Sequence, residues 1–551
     1  MPSEPSATEP DQRAVARPRG FSRGAVERVG HNSVVQLATQ LTVIGVGLLL
    51  TPLIVAKLGL ALYGVWTFVT VTIGYLTMVD PGLNAAVVRF GSPRYAEGDA
   101  VTPARLATLG MAIWLAIGLV ASPLLIVVVP FIETHLKGSA TAAGQIGWLT
   151  VFAFCSLIFT AASSVQNSML VAAGEQWISN VIDALSRFLY AGLAIWLLLA
   201  GHGLAGLAIA MGTQTVVAAL GAFVAVRRRV GPPLGNPLKL SRDQVRDLAH
   251  FGGWAQAGNL FQTLNGMTNS LVAGTFISAS SVGVLSFGQR LARQIPYFST
   301  IPQDTLMHAT AARFGDGRDP EGLKRVAVDA NRIVSLFSTV PGFGLVAVAP
   351  VLLAAWLGKA YTGAAIVTVI LALNQVTLGM MRGARTTLIG VGHIRLNASA
   401  QGLTFIANAA VTLALVVPLG ITGIVLGSLV ASVVTTTYLQ RRFHQILGLT
   451  LREGLLGWAW KLWLPGLASA GACLAITYAM PESVRQHRGP ALLALVVLTG
   501  VYLALSALGL RMTGGFAPQD FATLKRGLPR PVAKVFNSAP VRWVARVEHA
   551  S

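Results

Sequence analysis

The chain has 551 residues, 54% of them hydrophobic and only 11% charged, whereas soluble domains carry roughly a quarter charged residues. So little charge excludes a water-soluble globule of this size, and apolar runs recurring along the whole length exclude a soluble domain on a single anchor. Lys and Arg number 41 against 21 Asp and Glu, a net charge of +20. These basic residues fall in loops and tails, so they read as topology determinants and partners of anionic headgroups, not as a nucleic-acid footprint.

Residues 1–31 form a basic tail rich in Pro, Glu and Arg. The apolar run after it is too long for the h-region of a cleavable signal, so the sequence predicts a signal anchor with the N-terminus retained. A span takes about 20 mainly apolar residues. On that measure helices are predicted over 33–56, 63–79, 106–129, 146–172, 178–200 and 204–226. After a polar loop over 227–247 they resume at 251–277, 282–307, 333–357, 364–381, 396–417, 422–439, 462–479 and 491–510. The expected fold is an all-α polytopic membrane protein of about 14 transmembrane helices. It divides into an N-lobe over 32–229, a cytoplasmic linker over 230–247, a C-lobe over 248–445, a final helix pair over 446–510 and a basic tail over 511–551.

Loop charges alternate as that count requires. One set of loops carries Arg89, Arg94 and Arg105, then Arg227, Arg228 and Arg229, then Arg313, Arg318, Lys324 and Arg325, then Arg441, Arg442 and Arg452. The opposite set carries only Lys57, Lys137, Lys359, Arg485 and Arg488. By the positive-inside rule both termini are expected in the cytoplasm of a bacterial plasma (inner) membrane.

The chain also repeats itself. Gln36 in VVQLATQ matches Gln256 in WAQAGNL, and YGVW at 63–66 matches VGVL at 282–285. RFG at 89–91 matches RFG at 313–315, while Gly203 and Gly206 fall over Gly420 and Gly423. Six helices per repeat put both halves in the membrane in the same direction. That predicts two lobes about a pseudo-two-fold axis along the membrane normal, with a cavity between them and the last two helices outside the repeat.

Four stretches carry a family resemblance: LGLALYGVW (58–66) with DPGLNAAVVRFG (80–91), VGVLSFGQRLAR (282–293) with Pro302 beyond it, WLGKAYTGAA (356–365), and GVGHIRLN leading through Asn408 to PLGITG (418–423). In this order they resemble the polysaccharide transporter branch, the Wzx-type flippases, of the multidrug/oligosaccharidyl-lipid/polysaccharide exporter superfamily. The resemblance implies alternating access and a polyprenyl-pyrophosphate-linked oligosaccharide as substrate. This lipid would pass from the cytoplasmic to the outer leaflet for cell-surface polysaccharide biosynthesis, with a polysaccharide polymerase or export machinery as a partner.

Charges within spans require an account. Arg290 and Arg293 share one helix face near mid-depth with no carboxylate within a turn, and two such guanidinium groups suit a pyrophosphate. The competing reading pairs them with acids on other helices. Pro296 and Pro302 are expected to kink the same helix, with or without a ligand. Amide stripes at Asn32, Gln36 and Gln40, and at Gln256, Asn259, Gln262, Asn265 and Asn269, cannot face lipid. They line either a hydrated cavity, where they would meet sugar hydroxyls, or a neighbouring helix. Asp183 reads as an ion-coupling candidate or as the structural partner of Arg187. Arg382 and Arg385 read as snorkelling to headgroups at a helix end, and Asp329 as pairing with Arg332 or Arg325. The tail, with Phe516, Phe521 and Trp543, reads as a basic surface helix or a disordered, lipid-attracted segment.

Cys155 and Cys473 sit in apolar runs as small hydrophobes, without a disulfide framework. No HExxH, GxSxG, P-loop or metal-spaced His cluster appears, so no enzyme activity, cofactor or metal is expected. Transport would then draw on an ion gradient or on the substrate gradient. A lipid II flippase and a cation-type multidrug exporter of the same superfamily remain alternatives. A membrane glycosyltransferase or polymerase is disfavoured, because the longest predicted external loop is only about a dozen residues.

Overall fold

A computed structural model of the chain describes residues 23–74, 83–121, 145–237, 260–299, 320–358, 362–390, 393–521 and 538–546, with isolated positions at 123, 130 and 303. Every regular element among the described residues is a helix, as the apolar composition requires. In hydrocarbon each backbone N–H must be satisfied within its own segment. Among the described residues nine helices are long and apolar enough to cross a membrane.

The first group comprises α1 (Arg23–Gly74), α2 (Leu83–Ala96), α3 (Val101–Ala121), α4 (Ile146–Ala172), α5 (Gln176–Leu199) and α6 (Gly203–Arg229). The second comprises α7 (260–277, closing on a π-helical turn Ala273–Ile277), α8 (Ala279–Ala292), α9 (Pro320–Leu357), α10 (Thr362–Gly390) and α11 (Ile394–Leu447). The last two long helices, α12 (Gly457–Ala479) and α13 (Arg488–Thr513), pack on α9 and on each other. They stand outside the repeat and against the second lobe.

α1 has 52 residues and α11 has 54. Straight, each would run about 80 Å, more than twice the roughly 30 Å hydrocarbon layer. A single glycine breaks each: Gly59 (φ 80°, ψ 166°) in α1 and Gly420 (φ 56°, ψ −134°) in α11. Only glycine takes such angles without strain. Each break falls in the gap between two predicted spans. Gly203, the repeat partner of Gly420, also has positive φ (54°) where α6 begins. The second glycine of each motif packs tightly. A Cβ on Gly206 would lie 2.8 Å from that of Leu197, and one on Gly423 would lie 2.2 Å from the Leu415 carbonyl. The loop repeat therefore has a steric cause.

The lobes meet mainly through α1 and α8. A Cβ on Gly64 would come 1.8 Å from the Ala279 carbonyl oxygen, and one on Gly283 would come 2.7 Å from Leu60 Cδ1. At a sequence offset of 219 these two contacts are the same contact seen from either lobe, as a pseudo-two-fold axis demands. Beside them the Tyr63 and Ser286 hydroxyls are hydrogen-bonded (2.9 Å), and the Tyr63 and Phe287 rings stack at 5.4 Å. The seam is thus closed at one end, here the Gly59 side.

In the second lobe, α9 and α13 run antiparallel. Arg488 donates to the Leu357 carbonyl (3.2 Å), Tyr502 to the Val340 carbonyl (2.6 Å), and Arg332 reaches Asp520 (2.5 Å) beyond the end of α13. Leu49, Val417 and Leu493 point outward from their helices, where lipid covers such side chains. Cys473 is buried as expected, but Cys155 is exposed on the outer surface of α4.

Candidate functional site

α8 carries the site and owes its shape to its ends. It starts after Ser278, whose extended backbone (φ −170°) and hydroxyl cap the helix by accepting from the Ser281 amide (3.2 Å). It stops at Ala292 with Arg293 as its C-cap, one turn before Pro296. Pro296 has no N–H to give the Ala292 carbonyl and its ring crowds it, so the break falls within the run predicted as one span over 282–307. Residues 295–299 resume the helix, and the Gln294 side chain donates to the Arg290 carbonyl (2.8 Å).

Arg290 and Arg293 thus occupy the last turn of an interrupted helix. Counted from Ala279, they lie about 16 and 21 Å from the Gly59 side, in the middle part of a roughly 30 Å hydrocarbon layer. Arg290 is half-buried and reaches across the seam: its guanidinium lies 3.3 Å from where a Cβ would stand on Gly47 of α1. Tyr190 of α5 is within electrostatic range of it. Arg293 is exposed one turn further along and within electrostatic range of Arg290. Among the described residues neither guanidinium has a carboxylate within 4 Å; the ion pairs present all lie elsewhere. The helix C-terminus contributes partial negative charge that favours cations there, and a pair of guanidinium forks is a donor set that suits an anion.

A second cross-lobe contact lies just above. Pro52 cannot donate to the Leu48 carbonyl, which would be its helical partner, and the Trp356 indole N–H from the other lobe bonds that oxygen instead (2.5 Å). Trp356 also meets the Phe287 ring edge-on at 5.9 Å.

The amide stripes fare unevenly. Asn32, Gln36 and Gln40 lie on the backbone of α1, and their side chains are outside the described residues, as are Gln256 and Asn259 altogether. Gln262 is exposed, and Asn265 is half-buried with its carbonyl oxygen unpartnered among the described residues. Asn269 turns into the second lobe. It donates to Ser428 (2.7 Å) and accepts from Asn408 (3.1 Å), while Ser428 and Thr412 both donate to the Asn408 carbonyl oxygen. That closed, buried network holds α7 on α11, so the end of the stripe is helix packing and not cavity lining.

Asp183 pairs with Arg187 at 3.3 Å, both partly exposed. Arg332 bridges Asp329 (3.0 Å) and Asp520 (2.5 Å). Arg382 does not snorkel. α10 runs to Gly390, nine residues beyond the predicted end, and leaves Arg382 inside the lobe. There it donates to Gln375 (2.8 Å), Ser299 (3.1 Å) and Ser338 (3.4 Å). Its spacing of three from Arg385, the same as in the Arg290 pair, was the available signal. Phe516 and Phe521 do not face lipid either: both are buried against Ile333, Trp458 and Leu462. Among the described residues no cluster of three or more His, Cys, Asp or Glu side chains is arranged to hold a metal.

Two helical lobes about a seam, with arginines at mid-depth, define a multi-pass membrane transporter fold. The comparisons agree. The family described as "Polysaccharide biosynthesis protein" matches residues 57–366. The chain belongs to that family. Among solved structures, a lipid II flippase (MurJ) in an inward closed conformation superposes with a TM-score of 0.66 at 13% identity, over 87% of this chain and 98% of that one. An inward-facing multidrug resistance MATE family transporter of the MOP superfamily gives 0.58 at 19% identity, over 75% and 98%. A Vibrio cholerae MATE transporter gives 0.54 at 17%, over 77% and 97%. At these identities the likeness is one of fold. A search of curated proteins finds no match.

Proposed function

We propose that this protein is a flippase that moves a polyprenyl-pyrophosphate-linked oligosaccharide from the cytoplasmic to the outer leaflet by alternating access. The observation that carries this reading is the pair Arg290 and Arg293, without a carboxylate within 4 Å among the described residues, where α8 breaks at the lobe seam. A pyrophosphate diester is a dianion whose paired non-bridging oxygens guanidinium forks bind bidentately while keeping their charge at any physiological pH. An organic cation would be repelled from the same place.

In this reading the Gly59 side faces outward and is closed, both termini are cytoplasmic, and the divisions at 32–229 and 248–445 are the moving lobes. Gln262, with Asn32, Gln36, Gln40, Gln256 and Asn259, would contact sugars. Asp183, already neutralised by Arg187, is a weaker candidate for ion coupling than the sequence implied. A second reading, a lipid II carrier, is favoured by the fold likeness to a lipid II flippase over 87% of this chain. It would use the same arginines on the same pyrophosphate.

Depleting the protein in cells and measuring polyprenyl-linked oligosaccharides by leaflet tests the proposal. Accumulation on the cytoplasmic leaflet supports it, and accumulation of lipid II alone selects the second reading. An unchanged lipid pool with raised sensitivity to cationic drugs would replace both.

A further inference from the structure

We propose that the far end of the second lobe holds a second, separate anion site: a pocket for the phosphate headgroup of an anionic membrane phospholipid. A cavity of about 350 Å³ opens between α9, the start of α12 and the chain just past α13, lined by Arg332, Arg452, Lys461, Trp458, Glu453 and Gly515 among others. Its size suits a small polar headgroup and not a whole lipid-linked oligosaccharide.

The charges are arranged for an anion. Arg452 and Lys461 make no ion pair with any described carboxylate. Glu453 is engaged within its own turn, its Oε2 accepting from the Thr450 amide (3.0 Å) and hydroxyl (2.7 Å). Arg332 gives Nη2 to Asp329 and Asp520, while its buried Nε finds no acceptor among the described residues. Arg452 and Lys461 are therefore the cations left to bind a phosphate oxygen.

The depth is that of a headgroup. The Thr513 hydroxyl donates to the Lys461 carbonyl (2.8 Å), so α13 ends level with Lys461, and the chain turns off at left-handed Gly514 (φ 65°). Trp460, half exposed, lies beside the Lys461 ammonium, and the exposed Trp543 ring lies 4.6 Å from the Arg511 guanidinium. Exposed tryptophans beside cations mark a membrane–water interface. A phosphodiester from the adjoining leaflet reaches such a pocket without leaving the bilayer.

The test uses the full-length protein in detergent, with phosphatidylglycerol or phosphatidylcholine added and bound lipid counted by native mass spectrometry. Wild type should retain phosphatidylglycerol preferentially. Arg452→Gln and Lys461→Gln should each lower that retention about fivefold, and Lys461→Arg should restore it. Both positions are solvent-facing enough for the single variants to fold, which thermal unfolding checks. Arg290→Gln should leave retention unchanged, separating this site from the transport site. Equal phosphatidylglycerol retention by wild type and the two Gln variants overturns the proposal. Displacement of the lipid by inorganic phosphate makes it a soluble-phosphate site and overturns the lipid assignment.

Discussion

Arg290 owes its position to what α1 lacks at residue 47. A Cβ there would stand 3.3 Å from the end of a flexible guanidinium, so a larger side chain displaces the arginine without disturbing backbone. Gly47→Val is therefore expected to leave protein level and thermal stability nearly unchanged while lowering transport at least tenfold. Paired measurements of unfolding and flipping separate the two effects. Asp99 acts locally in the loop before α3. It accepts from the amides of Val101 (2.9 Å) and Thr102 (3.0 Å), the cap of that helix. Hydrogen bonds from Thr102, side chain first, hold its carboxyl below the ordinary range. A depressed carboxyl stabilises above its unfolded pKa and loses that contribution as pH falls through the folded value. Asp99→Ala should cost about 1 kcal/mol at neutral pH. The difference from wild type should shrink as the pH is lowered to about 3, as read from unfolding curves at the two pH values.

Helix boundaries were largely legible because lipid demands long apolar runs, and the glycine breaks at Gly59 and Gly420 fell where the sequence placed loops. The arginine pair was legible because charge inside such a run is conspicuous. Arg382 was misjudged because the apolar pattern thins near residue 381 although α10 continues to Gly390. Spacing placed Asn269 on a polar stripe, but periodicity says nothing about whether Ser428 and Asn408 wait on the other side. The Trp356 contact to the Leu48 carbonyl joins residues 308 apart, and no local pattern announces it. From its aromatics and basic residues, the segment after α13 reads as a basic surface helix or a disordered, lipid-attracted tail. Instead Asp520, 2% exposed, ties it to Arg332 on α9. Asp520→Asn removes a charge-assisted bond and leaves Arg332 with Asp329 alone. Unfolding is expected to become easier by about 2 kcal/mol, measured by thermal unfolding in detergent.

At the scale of the whole molecule, the repeat becomes physical where Gly64 meets Ala279 and Gly283 meets Leu60. A methyl group at residue 64 would have to push backbone aside, because it would stand 1.8 Å from a carbonyl oxygen. Gly64→Ala is thus expected to wedge the lobes apart on the Gly59 side, destabilising the closed form by about 1–3 kcal/mol. A cysteine placed at Ser286, buried in the closed seam, should then react with an impermeant thiol reagent added outside the cell, while the same cysteine with Gly64 intact should not. Arg290 and Arg293 lie below that seal and, in the proposed orientation, are reached from the cytoplasm.

The central claim is that these two arginines hold a pyrophosphate lipid while the lobes exchange sides. It is tested most directly by reconstituting the full-length protein in liposomes with a polyprenyl-pyrophosphate oligosaccharide in one leaflet and following its arrival in the other. The account predicts transfer by wild type and loss of at least tenfold in rate for the double variant Arg290→Gln, Arg293→Gln at equal protein incorporation. Undiminished transfer by that variant would contradict it.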